Sequence, residues 1–201
     1  MRTLSQARDG GAVRDTINKS MSKYLVVSTS GNPSSNSRKM GRVAFAYLQK
    51  QKVDCDWIDI RELSLPLCDA DACYAQPSAQ KLKGAIEAAD GIIVAAPVYN
   101  YDVSAAAKNM IELSGKAWED KVVGFLCAAG GHSSYMSVMA YANSLMLDFR
   151  CVIIPRFVFA TGDAFDDDTL SDTKGVKRAE QVAADMIRFT EALRPGNRSK
   201  K

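Results

Sequence analysis

The sequence withholds most of the residues that do chemistry unaided. It has one histidine, His132, and its five cysteines, at 55, 68, 73, 127 and 151, form no Cys-x-x-Cys pair. A metal centre needs clustered ligands, and a single His at a loop tip beside two glycines does not make one. Three of the cysteines sit in or beside apolar runs, where a free Cys behaves as a small hydrophobe, so a reducing cytoplasm is expected. Cys68 and Cys73 share a loop and read either as a redox pair or as two unlinked thiols. The longest apolar runs, "GIIVAAPV" and "VVGFLCAA", stop far short of the roughly 18 to 20 residues that cross a bilayer, so no membrane span is expected. No excess of one charge stands out: 26 Lys and Arg against 23 Asp and Glu leave a net +3, scattered instead of gathered in a stripe. That pattern excludes nucleic acid as an expected partner. Neither G-x-x-x-x-G-K-[ST] nor G-x-G-x-x-G occurs, which removes support for a nucleoside triphosphate or a directly bound dinucleotide.

Both ends also lack patterning. Residues 1–20 show no apolar period; Arg2, Arg8 and Arg14 suggest a transit peptide, but Asp9 and Asp15 contradict it, and no secretory h-region is present. The expectation is a disordered extension over 1–20, one domain over 21–194, and a disordered basic tail over 195–201.

Between these tails, short apolar runs alternate with longer amphipathic stretches. Strands are expected at "YLVVS" (24–28), "CDWIDI" (55–60), "GIIVAAP" (91–97), "KVVGFLCAA" (121–129) and "CVIIPRFVFA" (151–160). Helical spacing occupies 36–51, 77–89, 103–116, 134–148 and 172–193. Strand then helix, five times over, predicts an α/β fold: a doubly wound five-stranded parallel sheet with helices on both faces. In such a sheet ligands gather outside the carboxyl ends of the strands, which directs attention to the loops after strands one, three and four.

The first of these, "STSGNPSSNSR", is almost wholly Ser, Asn, Gly and Pro before a helix. Hydroxyls and free backbone N–H groups at a helix N-terminus hold phosphate, with Ser30, Asn32, Ser35, Asn36 and Ser37 as candidates; the same residues also suit a plain turn and helix cap. The second, "PVYNY", sets Pro97, Val98, Tyr99, Asn100 and Tyr101 at a strand end, where rings and an amide suit a planar heterocycle or simply a turn with surface tyrosines. The third, Ala129, Gly130, Gly131 and His132, lets a ligand approach the backbone. Converging on one crevice in the flavodoxin-like order 2-1-3-4-5, phosphate chemistry and flat-ring chemistry together describe an FMN site. Asp59, Glu62, Asp102 and the run Asp166 to Asp168 are read as solvated charge.

Over about residues 23–190 the chain resembles the NADPH-dependent FMN reductase family, which includes quinone, chromate and azo-compound reductases. The resemblance rests on Ser30, Ser35, Asn36, Ser37 and Arg38 in the first loop, on Pro97, Tyr99, Asn100, Lys108 and Asn109 in the second motif, and on Gly130 and Gly131 in the third. Asn32, Val98 and Ser104 stand where the family usually has Arg, Glu and Pro. The resemblance implies bound FMN, NAD(P)H as cosubstrate with NADPH favoured, small-molecule electron acceptors such as quinones and flavins, and a homodimer or homotetramer. No acid–base side chain is obligatory, because the cofactor carries the hydride chemistry. A flavodoxin-like electron carrier and a flavin-dependent regulatory binding protein are the rival readings, and a net charge of +3 disfavours the first.

Overall fold

Aliphatic and β-branched runs form the strands in the order they occur along the chain. The computed structural model describes residues 21–194; the tails expected at 1–20 and 195–201 lie outside the described residues. The elements are β1 (Lys23–Ser28), α1 (Asn36–Lys50), β2 (Asp54–Asp59), α2 (Pro77–Ala88), β3 (Gly91–Tyr99), β4 (Asp102–Val103), α3 (Ala105–Ser114), β5 (Val122–Ala129), α4 (Val138–Phe149), β6 (Val152–Ile153), β7 (Val158–Thr161) and α5 (Thr173–Leu193).

The sheet runs β2-β1-β3-β5-β6, with β7 also beside β5. These ladders are parallel. This is the expected order, with the last strand in two pieces. Alternation along the strands splits the core in two. Tyr24, Val26, Ile93 and Ala95 pack with Met40, Ala44 and Leu48 of α1 and Val182 and Met186 of α5. Leu25, Val27, Ile92 and Val94 pack with residues of α2, α3 and α4, among them Leu82, Met110 and Leu145. Each fully buried aliphatic side chain contributes roughly 1.5–3 kcal/mol, so burial on both sheet faces holds the central strands. At Gly91 a Cβ would stand 2.5 Å from Met186 Sδ, so glycine lets α5 lie close on the sheet.

Two local departures matter. Strand β3 runs past Pro97 to Tyr99 and folds back, pairing Val98 with Val103 and Tyr99 with Asp102. The two connecting residues, Asn100 (φ 51°) and Tyr101 (φ 65°), are both left-handed, as a tight two-residue hairpin requires. The single fifth strand expected over 151–160 is instead interrupted. Val122 pairs with Val152 but Leu126 with Val158, so four steps on β5 match six on its neighbour. Pro155 has no N–H for the ladder and Arg156 (φ 66°) is left-handed, so the surplus residues bulge out.

Candidate functional site

The first loop is shaped by its own side chains. Asn32 N–H donates to Ser30 Oγ at 3.2 Å, and Ser34 N–H donates to Asn32 Oδ1 at 2.9 Å. Ser35 then caps α1, its Oγ accepting from Arg38 N–H at 3.2 Å. By helix geometry the N–H groups of Asn36 and Ser37 have no intrahelical acceptor and are left for something else. Ser35 Oγ and Ser37 Oγ are 3.0 Å apart. Two hydroxyls own two protons and use one between themselves, so one O–H is left over, at the positive end of a 15-residue helix.

Arg38 braces the loop from behind. Its guanidinium donates to Asn32 O (2.8 Å), Pro33 O (3.0 Å) and Ser30 O (3.1 Å), and Nε donates to Asp59 Oδ2 at 2.5 Å. Asp59 is only 5% exposed, which corrects the reading of this residue as solvated charge. It closes β2 as the counter-ion of the brace and also accepts from Arg61 N–H.

Ser104 ties the second loop to the first. Its N–H donates to Pro97 O, its Oγ donates to Thr29 O at 2.8 Å, and the same Oγ accepts from Ala107 N–H to cap α3. Proline, usual here in the family, offers neither donor. Farther along α3, Asn109 faces away from the loops, donating to Pro66 O and accepting from Cys68 N–H. Lys108 pairs with Glu112 at 2.8 Å. These two motif residues therefore serve the scaffold.

The loops enclose a cleft of about 620 Å³ lined by Ser30, Asn32, Ser35, Asn36, Ser37, Pro97, Val98, Tyr99, Asn100, Ala129 and Gly130. Tyr101, 67% exposed on the hairpin tip, Gly131 and His132 are not among its lining residues. Ser34, Ala128 and Gly162 line it as well. Gly162 follows β7, a strand whose loop the sequence pattern did not single out. A larger groove of about 920 Å³, between the broken fifth strand and α5, lies outside these loops.

None of the cleft residues is charged. An anion there meets a helix N-terminus, hydroxyls and amides, while the nearby guanidinium is already committed to Asp59 and three carbonyls. At the other end, a Cβ added to Gly130 would meet nothing within 4 Å, and no left-handed backbone requires glycine at that position. The missing side chain thus leaves open space in a cleft that Val98 and Ala128, both nearly buried, also line. A donor-rich end and an apolar, glycine-walled end fit the phosphate and the ring of FMN. Asp163, beyond the cleft wall, is held below the usual carboxylate range mainly by the Thr161 hydroxyl, with His132 a minor contributor. Among the described residues there is no cluster of three or more His, Cys, Asp or Glu suited to a metal ion.

Comparison with known proteins points the same way. An FMN reductase (NADPH) of Pseudomonas putida is 29% identical over 174 residues, 84% of this chain and 84% of that one. An NADPH:quinone oxidoreductase of Arabidopsis thaliana is 28% identical over 147 residues, 69% of this chain and 75% of that one. The solved structure of FerB, a flavoenzyme NAD(P)H:(acceptor) oxidoreductase from Paracoccus denitrificans, shares the fold with a TM-score of 0.69 at 19% identity, covering 85% of this chain and 98% of its own. The model of the NADPH-dependent FMN reductase family matches residues 22–166, a span that holds β1 and every loop lining the cleft. On that match the chain belongs to the NADPH-dependent FMN reductase family and is a flavin-dependent oxidoreductase.

Proposed function

We propose that this protein takes hydride from NAD(P)H, with NADPH favoured, and passes the electrons to quinones, flavins or similar small acceptors. The observation that carries the reading is the uncharged cleft whose one end is the α1 N-terminus with a spare serine proton and whose other end is an open glycine wall. FMN held in this cleft would supply the redox chemistry between NAD(P)H and the acceptor. The protein's residues bind and orient. Ser35, Ser37 and the free N–H groups of Asn36 and Ser37 hold the phosphate, Asn100 meets the ring edge, and Val98, Ala128 and Ala129 keep one side apolar. Gly130 leaves room for two substrates to take turns at the same face, which supports broad acceptor choice.

Two further features belong to this reading. Met136, Met139, Met146 and Leu147, at and along α4, are at least 37% exposed, which supports a homodimer or homotetramer. Five cysteines in no disulfide suit a cytoplasmic site.

The shared serine proton gives a test specific to the phosphate. Ser37→Ala leaves Ser35 its own proton to donate, so FMN affinity falls only a few-fold. Ser35→Ala and Ser37→Ala together leave no hydroxyl proton, and losing a hydrogen bond to a charged group costs roughly 1.5–3 kcal/mol, about 10- to 150-fold. Riboflavin, which lacks the phosphate, binds wild type and both variants alike. Calorimetric titrations of the two flavins, followed by anaerobic bleaching of the FMN complex with NADPH, check both halves; equal affinity of wild type for FMN and riboflavin overturns the phosphate assignment.

A further inference from the structure

The loop between β2 and α2 brings Cys68 and Cys73 together by a specific set of contacts. The Asn109 side chain of α3 grips the chain at Pro66 O and Cys68 N–H, both at 2.8 Å. Asp69 Oδ1 accepts from Asp71 N–H at 2.9 Å and from Cys73 N–H at 3.0 Å, and Ala70 between them is left-handed at φ 61°. The chain therefore reverses within a few residues and returns as the short 3-10 turn Ala72–Ala75. The result is a pair of sulfurs 3.7 Å apart, with the Tyr74 hydroxyl also 3.7 Å from Cys68 Sγ. The two thiols differ: Cys73 is 2% exposed in a small cluster with Ala79 and Leu113, whereas Cys68 is half-buried at its margin.

We propose that Cys68 and Cys73 are a reversible two-electron oxidation site that takes a peroxide and closes to an intramolecular disulfide. The more accessible thiol acts first. Cys68 sulfur attacks one peroxide oxygen; an S–O bond forms, the O–O bond breaks, and the departing hydroxide takes the thiol proton as water. Cys68 is now a sulfenic acid, two electrons oxidised. Cys73 sulfur then attacks Cys68 sulfur; the S–S bond forms, the S–O bond breaks, and hydroxide leaves with the Cys73 proton as a second water. Two thiols and one hydrogen peroxide give one disulfide and two waters. Sulfurs already in contact need side-chain rotation and a small backbone adjustment to reach the bonded distance of about 2.05 Å.

The order of events follows from the surroundings. Cys73 is 2% exposed, and burial, then the Asp69 carboxylate, pushes its thiol up, so it is not the one to meet the oxidant; its sulfur, 3.7 Å from that of Cys68, is placed to reach the oxidised neighbour. Elsewhere burial pushes Cys127 up to about 12 and Cys151 up to about 11, and neither has a sulfur partner, so these thiols are spectators.

The test uses the purified full chain, treated with one to a few equivalents of hydrogen peroxide, quenched by alkylation and read by intact mass and peptide mapping. The expected product takes up two alkyl groups fewer than the untreated protein alkylated in the same way, carries a Cys68–Cys73 link two hydrogens lighter than the two thiols, regains both thiols with dithiothreitol, and melts roughly 3–8 °C higher because a short loop is closed. Cys73→Ser, or Cys73→Ala if the first variant folds poorly, should instead accumulate a dimedone-reactive Cys68. Full alkylation of both cysteines after treatment overturns the proposal, as does gain of oxygen without a link. Peroxide is added and the readout is mass, so a chain that bound no flavin would give the same answer and the two proposals fail separately.

Discussion

Gly130 separates two requirements that usually coincide in one residue. Its backbone is not left-handed, and the space its side chain would fill is empty of protein. Alanine there strains nothing, so the stability of the flavin-free protein should stay within the change expected of a surface substitution, about 0.5 kcal/mol. The same methyl would project beside the cleft, and FMN affinity should fall about tenfold or more. Gly131, equally unencumbered but not lining the cleft, is the control: Gly131→Ala should alter neither quantity. Thermal melts and flavin titrations of the two variants check this, and an unstable Gly130→Ala would return the residue to a folding role. Arg38 and Asp59 show the limit of reading at this scale. Arg38 belonged visibly to the loop motif, but its partner lies 21 residues on, at the end of another strand. Nothing local in "WIDIRE" distinguishes an aspartate that is 5% exposed from its solvated neighbours.

At the scale of elements, the hairpin after β3 has one residue in an unsuitable conformation. Left-handed backbone costs an L-residue roughly 1–2 kcal/mol, and Asn100 tolerates it better than Tyr101. Glycine at 101 removes that strain while adding about 0.5–1 kcal/mol of unfolded-state entropy, so Tyr101→Gly should leave stability unchanged or raise it by up to about 1.5 kcal/mol. Its ring is 67% exposed and outside the cleft lining, so FMN affinity should hold. Denaturant melts with parallel flavin titrations decide whether Tyr101 is a turn residue or a ligand contact. The hairpin was hard to foresee because its ladder is two pairs long, too short for alternation to register. The break in the fifth strand was more legible. Pro155 stands in the middle of "CVIIPRFVFA", and a proline cannot donate to a ladder, but the flanking aliphatic residues read as one run. Long periodic helices were plain, because a 3.6-residue repeat over many turns outweighs any single residue; α1 and α5 lie within one residue of their expected limits.

For the molecule as a whole, acid acts through exposed carboxylates that the fold has made stronger acids. The Cys73 thiol and N–H hold Asp69 down to about 2, the Thr161 hydroxyl lowers Asp163, and the Thr169 and Asp168 N–H groups lower Asp166. In each, the folded group releases its proton below the unfolded value of about 3.9. Their stabilisation is therefore complete above that value and lost as pH falls towards 2. Melting temperature should change little from about pH 7 to 5 and decline below about 4, with Asp69→Asn showing a shallower decline. A scan of melts across that range checks the sign, and a fall already present between pH 7 and 5 would assign the effect to other groups.

The interrupted strand also bears on how copies of this chain meet one another. An unbroken fifth strand would present a straight row of unpaired N–H and C=O groups to any neighbour. Here that margin is cut into pieces of two and four residues with a proline and a left-handed arginine between them. The opposite margin, β2, carries Asp54 and Asp56, the second paired with Lys23 of β1 at 2.9 Å, so charged groups line that edge. Neither rim offers a straight, uncharged template for strand exchange or cross-β stacking.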